Sequence, residues 1–175
     1  MKSIWTIGHS TRTWEDFEAL LAHHGIEAVA DVRRFPASRK HPHFNRDAMQ
    51  AALGPDAYAH FPELGGRRKA RPDSRNTAWR NESFRAYADH MESPEFLAGM
   101  ARLADFAKDK RTALMCAESV WWRCHRGLIS DWLKARGTQV LHIVDQSSAQ
   151  PHPYTGAAAI VDGRLSYFGA QPRLL

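Results

Sequence analysis

Cys116-Ala117-Glu118 and, five residues later, Cys124-His125-Arg126 form the densest group of chemically capable side chains in the sequence. A thiol beside cations at a helix N-terminus ionises readily and becomes a nucleophile, with Glu118 or His125 as its proton partner. The same atoms are soft metal ligands, but Cys116 and Cys124 lie too far apart to be the short pair typical of zinc sites, and no metal ligand is assigned. Both cysteines are equally compatible with small core residues, since free cysteine is among the most buried types. Glu118 and Arg126 then act without them. A phosphatase-type loop is excluded, because Trp122 stands where its arginine is needed and Arg123 comes one residue late.

Other groups are less dense. Gly8-His9-Ser10-Thr11 reads as a tight strand-to-helix turn whose amides and hydroxyls suit an oxyanion or phosphate, or simply cap the helix. It lacks the spacing of a P-loop or a dinucleotide fingerprint. Asp31 and Arg33, with Pro36, Ser38 and Arg39, follow a strongly apolar stretch. An aspartate there needs a partner, either Arg33 or a catalytic histidine. Gly65-Gly66-Arg67-Arg68 permits close backbone approach to a ligand, or is a turn. Trp79, Phe84 and Tyr87 interleave with Arg75, Arg80 and Arg85, a pattern that stacks bases or anchors a helix in a core.

Charge links these groups. Residues 33–46 carry Arg33, Arg34, Arg39, Lys40 and Arg46 and no acid. Residues 67–85 carry Arg67, Arg68, Lys69, Arg71, Arg75, Arg80 and Arg85 against Asp73 and Glu82. Each segment is net +5 in a chain of formal charge +5, so the remainder is net −5. Arginine predominates in both, the residue suited to gripping phosphate or carboxylate with two donors. Folded onto one face, the two segments attract anions; apart, they are solvated loops.

The elements that must position these residues alternate. Ile4–Ile7 predicts a strand, Thr13 caps a helix that Gly25 stops, and 26–32 predicts a second, buried strand. Asn45 opens a short helix that Gly54 ends, and Tyr58–Phe61 predicts a short strand. Asn81 or Ser83 starts a helix through Met91, and Ser93-Pro94-Glu95 starts another. Thr112–Cys116 is a strand, 124–136 a helix, Val140–Val144 a strand, and 158–168 a hairpin around Asp162-Gly163. The expected fold is α/β, a mainly parallel sheet flanked by helices in a Rossmann-like three-layer arrangement, with a small C-terminal β-hairpin. Residues 1–175 are expected to make a single domain. In such sheets ligands sit beyond the carboxyl ends of the strands. There the sequence places His9 and Ser10, Asp31 and Arg33, Cys116 and Glu118, and Asp145 and Gln146.

The composition, 43% apolar and 25% charged, excludes disorder, collagen and coiled coil. No apolar run is long enough to span a bilayer, and Met1-Lys2-Ser3-Ile4-Trp5 enters a strand without a signal core. Two cysteines make no disulfide framework. A cytoplasmic protein with no membrane partner is expected.

The ordered set Thr6-Ile7-Gly8-His9-Ser10, Asp31-Val32-Arg33 with Pro36 and Ser38-Arg39, Phe44-Asn45, Leu64-Gly65-Gly66, Phe84 with Tyr87-Ala88, Met115-Cys116-Ala117-Glu118 and Cys124-His125-Arg126 resembles the domain-of-unknown-function 488 family. The resemblance runs from about residue 6 to residue 143. It implies a prokaryotic, intracellular protein of similar size and supplies no reaction. The expectation is therefore an enzyme or former enzyme that binds a phosphate-bearing or other anionic ligand, a nucleotide or nucleic acid, in a basic cleft. Arg33, Arg39, Arg67 and Arg126 hold the anion. His9 and Ser10 orient it, and Ser38, Gly65, Gly66, Tyr87 and His125 complete the binding set. Glu118 is the general acid or base, Asp31 positions a partner, and Cys116 or Cys124 is the nucleophile. The alternatives are a non-catalytic nucleic-acid-binding module and a Cys/His metal-binding domain.

Overall fold

The computed structural model describes residues 1–169. Its chain order is β1 (Ser3–Gly8), α1 (Trp14–His23), β2 (Ala28–Asp31), α2 (Arg46–Leu53), β3 (Tyr58–His60), α3 (Glu82–His90), α4 (Pro94–Phe106), β4 (Thr112–Cys116), α5 (Arg126–Lys134), β5 (Gln139–Ile143), β6 (Gln150–Pro151), β7 (Ala159–Val161) and β8 (Arg164–Ser166). The main sheet has the order β3-β2-β4-β1-β5-β6. Its first five strands are parallel, and β6 is antiparallel to β5. Strands β7 and β8 form the separate antiparallel hairpin. The fold is α/β, as the alternation of elements implied.

Strand pleating sorts the core into two layers. Ile4, Ala30, Leu114, Cys116 and Val140 face helices α3, α4 and α5. Trp5, Ile7, Val29, Ala113, Met115 and Ile143 face α1 and α2 through Phe17, Leu20, Leu21 and Met49. Cys116 has the parity of Leu114, so its thiol emerges on the α3–α5 side. Helix starts follow the local chemistry. Thr13, Asn81 and Ser93 each accept a backbone N–H of the first turn. Gly137 stops α5's overhang with φ +83°, and Asp162-Gly163 takes positive φ at both residues of the hairpin turn.

Some boundaries differ from the sequence reading. Strand β2 begins at Ala28, because Glu27 and Ala28 both donate to the Arg111 carbonyl before the ladder starts. Asn45 occupies the cap position of α2, yet its Oδ1 accepts the Ser38 N–H at 2.6 Å. That bond folds the basic loop back on itself. Helix α5 starts at Arg126, and a 3₁₀ turn over Trp121–Arg123 takes the preceding residues. Among the described residues no helix is long and apolar enough to cross a membrane.

A buried polar chain ties β1, β5, α5 and the hairpin together. Thr6 Oγ1 lies 2.7 Å from His142 Nδ1, and His142 Nε2 lies 2.8 Å from His152 Nδ1. His152 Nε2 lies 3.0 Å from Asp131 Oδ1. Asp131 also accepts from Thr155 Oγ1 at 2.5 Å and Tyr167 Oη at 2.8 Å. One proton arrangement satisfies every link: Thr6 donates to His142, His142 to His152, and His152 to Asp131. Trp121 covers the chain, stacked on His142 at 4.5 Å.

Candidate functional site

The ends of β1 and β4 are zipped beyond the sheet. His9 N–H donates to the Cys116 carbonyl at 2.9 Å and Ser10 N–H to that of Ala117 at 3.0 Å. The amides of this turn are therefore already used, and Ser10 sits at φ +51°. The close approach requires Gly8, where a Cβ would stand 2.0 Å from the Glu118 carbonyl oxygen. That neighbour is backbone and cannot turn aside, so Gly8→Ala is expected to cost about 1–3 kcal/mol. Urea denaturation measures this; an unchanged midpoint would show that the strand ends are not locked together.

The zipped ends wall a cavity of about 410 Å³. Cys116, Cys124 and His125 form its floor, and Glu118, Tyr87 and Gly66 stand around them. Arg34, Arg67 and Arg123 are exposed at its rim. Phe35 and Phe84 line it too, with Phe35 62% exposed and the Arg34 guanidinium over its ring. None of the three rim arginines has an acidic partner among the described residues. The N-termini of α3, through Ser83, and of α5, through His125, both border the space, so two helix dipoles add to its positive potential.

The floor is closely organised. Cys116 Sγ, Cys124 Sγ and a ring nitrogen of His125 lie within 4.8 Å of one another. Cys124 Sγ is approached by Arg126 Nε at 3.4 Å, the Arg126 N–H at 3.5 Å and His125 Nδ1 at 3.6 Å. Burial alone would raise the Cys124 pKa, but the Cys116 hydrogen bond and the charges of His125 and Arg126 carry it well below the usual thiol value. Cys116 moves up, through its hydrogen bond to Cys124 first and burial second. Of the two buried cysteines, Cys124 is thus the more acidic and Cys116 the less. His125 Nε2 donates to the Val32 carbonyl at 2.9 Å, which turns Nδ1 toward the sulfur.

Not every residue expected at the site reaches the cavity. Arg33 does, but its guanidinium is committed: Nε and Nη2 donate to Asp31 at 2.8 and 2.5 Å, Nη2 to the Phe44 carbonyl at 2.7 Å, and Nη1 meets His9 Nε2 at 3.2 Å. Asp31 is fully buried behind it and also accepts from Tyr58 Oη at 2.7 Å. His9 is buried, stacked on Phe44 at 4.2 Å, with Nδ1 donating to the Ser10 carbonyl. Asp31 and His9 hold Arg33 in place and touch no cavity space. Arg126 is 1% exposed and lies behind Cys124, its Nη2 on the Glu118 and Ser119 carbonyls. Ser38 accepts the His41 N–H, and Arg39 is exposed away from the cavity. Gly65 packs against the Arg34 backbone, where a Cβ would come within 2.6 Å of Cα. Tyr87 lines the cavity by its ring, 5.0 Å from His125, with its hydroxyl on the Leu64 carbonyl.

Arg34, Phe35 and Arg123 line the cavity and were not in the expected binding set, whereas Phe84, which lines it too, was expected as a base-stacking or core aromatic. Arg34 and Arg123 adjoin residues that were, and only the turn directions separate them in sequence. Much of the second basic segment is used elsewhere: Arg68 pairs with Glu95, Arg71 with Glu92, and Arg75 covers Phe168.

No curated protein and no solved structure matches the chain. A family model does, across residues 13–133. Its span starts after the Gly8-His9-Ser10 turn and includes Arg33, Arg67, Cys116, Glu118, Cys124 and His125. Covering well over half of the sequence, it shows that the chain belongs to the family described as Domain of unknown function DUF488.

Proposed function

We propose that the cavity binds a small phosphate-bearing ligand, of nucleotide size, and that the protein is an enzyme acting on it with the cysteine–histidine floor. The observation that carries this reading is a single coincidence. Three arginines without acidic partners among the described residues open onto the same space of about 410 Å³ as Cys116, Cys124, His125 and Glu118. In this reading Arg34, Arg67 and Arg123 hold the phosphate by charge-assisted hydrogen bonds. Phe35 and Phe84 offer apolar faces to a base, and exposed Glu118 carries protons.

The volume favours this over a nucleic-acid-binding module. Small-molecule sites occupy about 300–1,000 Å³. A strand-binding surface needs a long basic groove, and here Arg68, Arg71 and Arg75 are drawn into packing contacts.

Thermal shifts with inorganic phosphate and with nucleoside mono-, di- and triphosphates test the reading. Stabilisation by at least one of them is expected. Each charge-assisted contact is worth about 1.5–3 kcal/mol, so Arg67→Ala and Arg123→Ala should each weaken binding by roughly 10–100-fold. Both side chains are exposed, so neither variant should lose its fold. No response to any phosphate compound would overturn the proposal.

A further inference from the structure

We infer that Cys116, Cys124 and His125 are three protein ligands of a soft divalent cation, zinc by their chemistry, with a fourth coordination position facing the cavity. The inference deepens the anion-pocket reading, and rests on it only for what the fourth position meets.

The donor set comes from places the sequence keeps apart. Cys116 ends β4, whereas Cys124 and His125 precede α5. The intervening loop is folded over Gly8, and this brings two sulfurs and a ring nitrogen within 4.8 Å of one another. A tetrahedral zinc site with Zn–S near 2.3 Å and Zn–N near 2.0–2.1 Å separates its donors by about 3.5–3.8 Å. Cys124 Sγ and His125 Nδ1 already stand 3.6 Å apart.

The surroundings fit a ligand role. A metal-bound histidine donates its other ring N–H to a carboxylate or a backbone carbonyl. His125 Nε2 donates to the Val32 carbonyl at 2.9 Å, so Nδ1, beside the sulfur, is the ring atom left to ligate, and any proton on it is released when the metal binds. The backbone N–H and Nε of Arg126 point at Cys124 Sγ, as hydrogen bonds to a ligating thiolate do. Gly66 keeps the donor atom open: a Cβ there would stand 3.1 Å from His125 Nδ1. Gly66 is outside the positive-φ set, so the need for glycine is one of space.

The chemistry selects the ion. Two thiolates and an imidazole suit zinc, whereas magnesium and calcium require oxygen ligands. Three protein ligands with an open position are the pattern of catalytic zinc, and all three line the cavity. An anion gripped by the rim arginines would lie across that open position.

The test uses the full chain, stripped of metal and titrated with Zn²⁺ and with Co²⁺. One ion per chain is expected. The cobalt form should show intense tetrahedral absorption and a sulfur-to-cobalt charge-transfer band. Cys116→Ser and His125→Ala should lower affinity by more than the roughly 10–100-fold that outer-sphere partners are worth. A folded wild type that takes up neither ion, or whose cobalt spectrum lacks the sulfur band, would overturn the inference even if a ligand variant failed to fold. Retention of wild-type affinity by a folded Cys116→Ser would do the same. Inorganic phosphate is then added to the wild type. Stabilisation of a chain that binds no metal would remove the cation and leave the anion pocket. Cobalt uptake with no phosphate effect would do the reverse.

Discussion

Replacing Asp31 with alanine is expected to destabilise the protein by about 3–5 kcal/mol, the cost of leaving one member of a buried ion pair alone. Asp31 is fully buried and Arg33 is 6% exposed. The carboxylate takes two guanidinium hydrogen bonds, the Arg33 backbone N–H at 3.1 Å and the Tyr58 hydroxyl. Burial works against the Arg33 charge, yet the Asp31 bonds outweigh it and leave the guanidinium pKa raised. Without Asp31 the cation keeps only the Phe44 carbonyl and the His9 ring. For a chain of 175 residues this corresponds to a fall in Tm on the order of 10 °C. Arg33→Met in the Asp31→Asn background should recover part of the loss, because both charges then leave the interior together. Denaturant titration of the single and double variants measures the coupling. An Asp31→Ala protein within about 1 kcal/mol of wild type would show that the pair is not what fixes the cavity wall.

That result bears on how a strand-end aspartate is read. The sequence shows that Asp31 and Arg33 leave a buried strand, and polarity there marks a ligand edge in parallel sheets. It does not show that the two side chains close on each other. Asp31 is the last residue of β2, and Arg33 lies two residues on, on the same side. His9 then packs against that guanidinium and its ring is spent. The strand-end rule points to the edge where the cavity lies, but it does not separate the layer that holds from the layer that faces the cavity. The separation depends on depth, which one-dimensional order does not carry.

The elements themselves were more legible. Thr13, Asn81 and Ser93 are residues whose side chains cap helices by local geometry, and each caps one. Asn45 has the same chemistry, but its amide oxygen found the Ser38 N–H, because the basic loop returns to it. Cys116 and Cys124 drew attention as reactive residues flanking a loop. Their convergence depends on that loop folding over Gly8, a contact without local signal. Arg34 and Arg123 were invisible as cavity residues because exposed arginines are common and only the turns around them decide where they point. The chain from Thr6 through His142 and His152 to Asp131 was also invisible. Its members come from three separate elements and a loop, and each alone is an ordinary polar residue.

That buried chain and the His9 stack lead to the second large effect, a loss of stability on the order of 5 kcal/mol between pH 7 and pH 4. Burial first, and the Arg33 charge second, lower the His9 pKa from 6.5 to about 4, with the Ser10 backbone hydrogen bond and then Asp31 opposing and His41 adding slightly. Burial first, then the charges of His152 and Arg126, lower that of His142 to about 3. In the unfolded chain both rings titrate near the ordinary 6.5. Between that value and the folded ones the unfolded state binds more protons, so stability rises with pH across this window. It is complete above about pH 6.5 and is lost as pH falls toward 4. Displacements of this size are worth roughly 3 kcal/mol for each ring. Urea midpoints at neutral pH and at successively lower values down to about 4.5 isolate the histidines, because ordinary carboxylates titrate mainly below that range. His142→Gln should be less stable at neutral pH, since it breaks the links to Thr6 and His152, and its stability should fall less steeply with acid. A wild-type midpoint that stays level from pH 7 to 4.5 would mean that these rings are protonated, or solvated, in the folded protein. The donor order from Thr6 through His142 to Asp131 would then have to be abandoned.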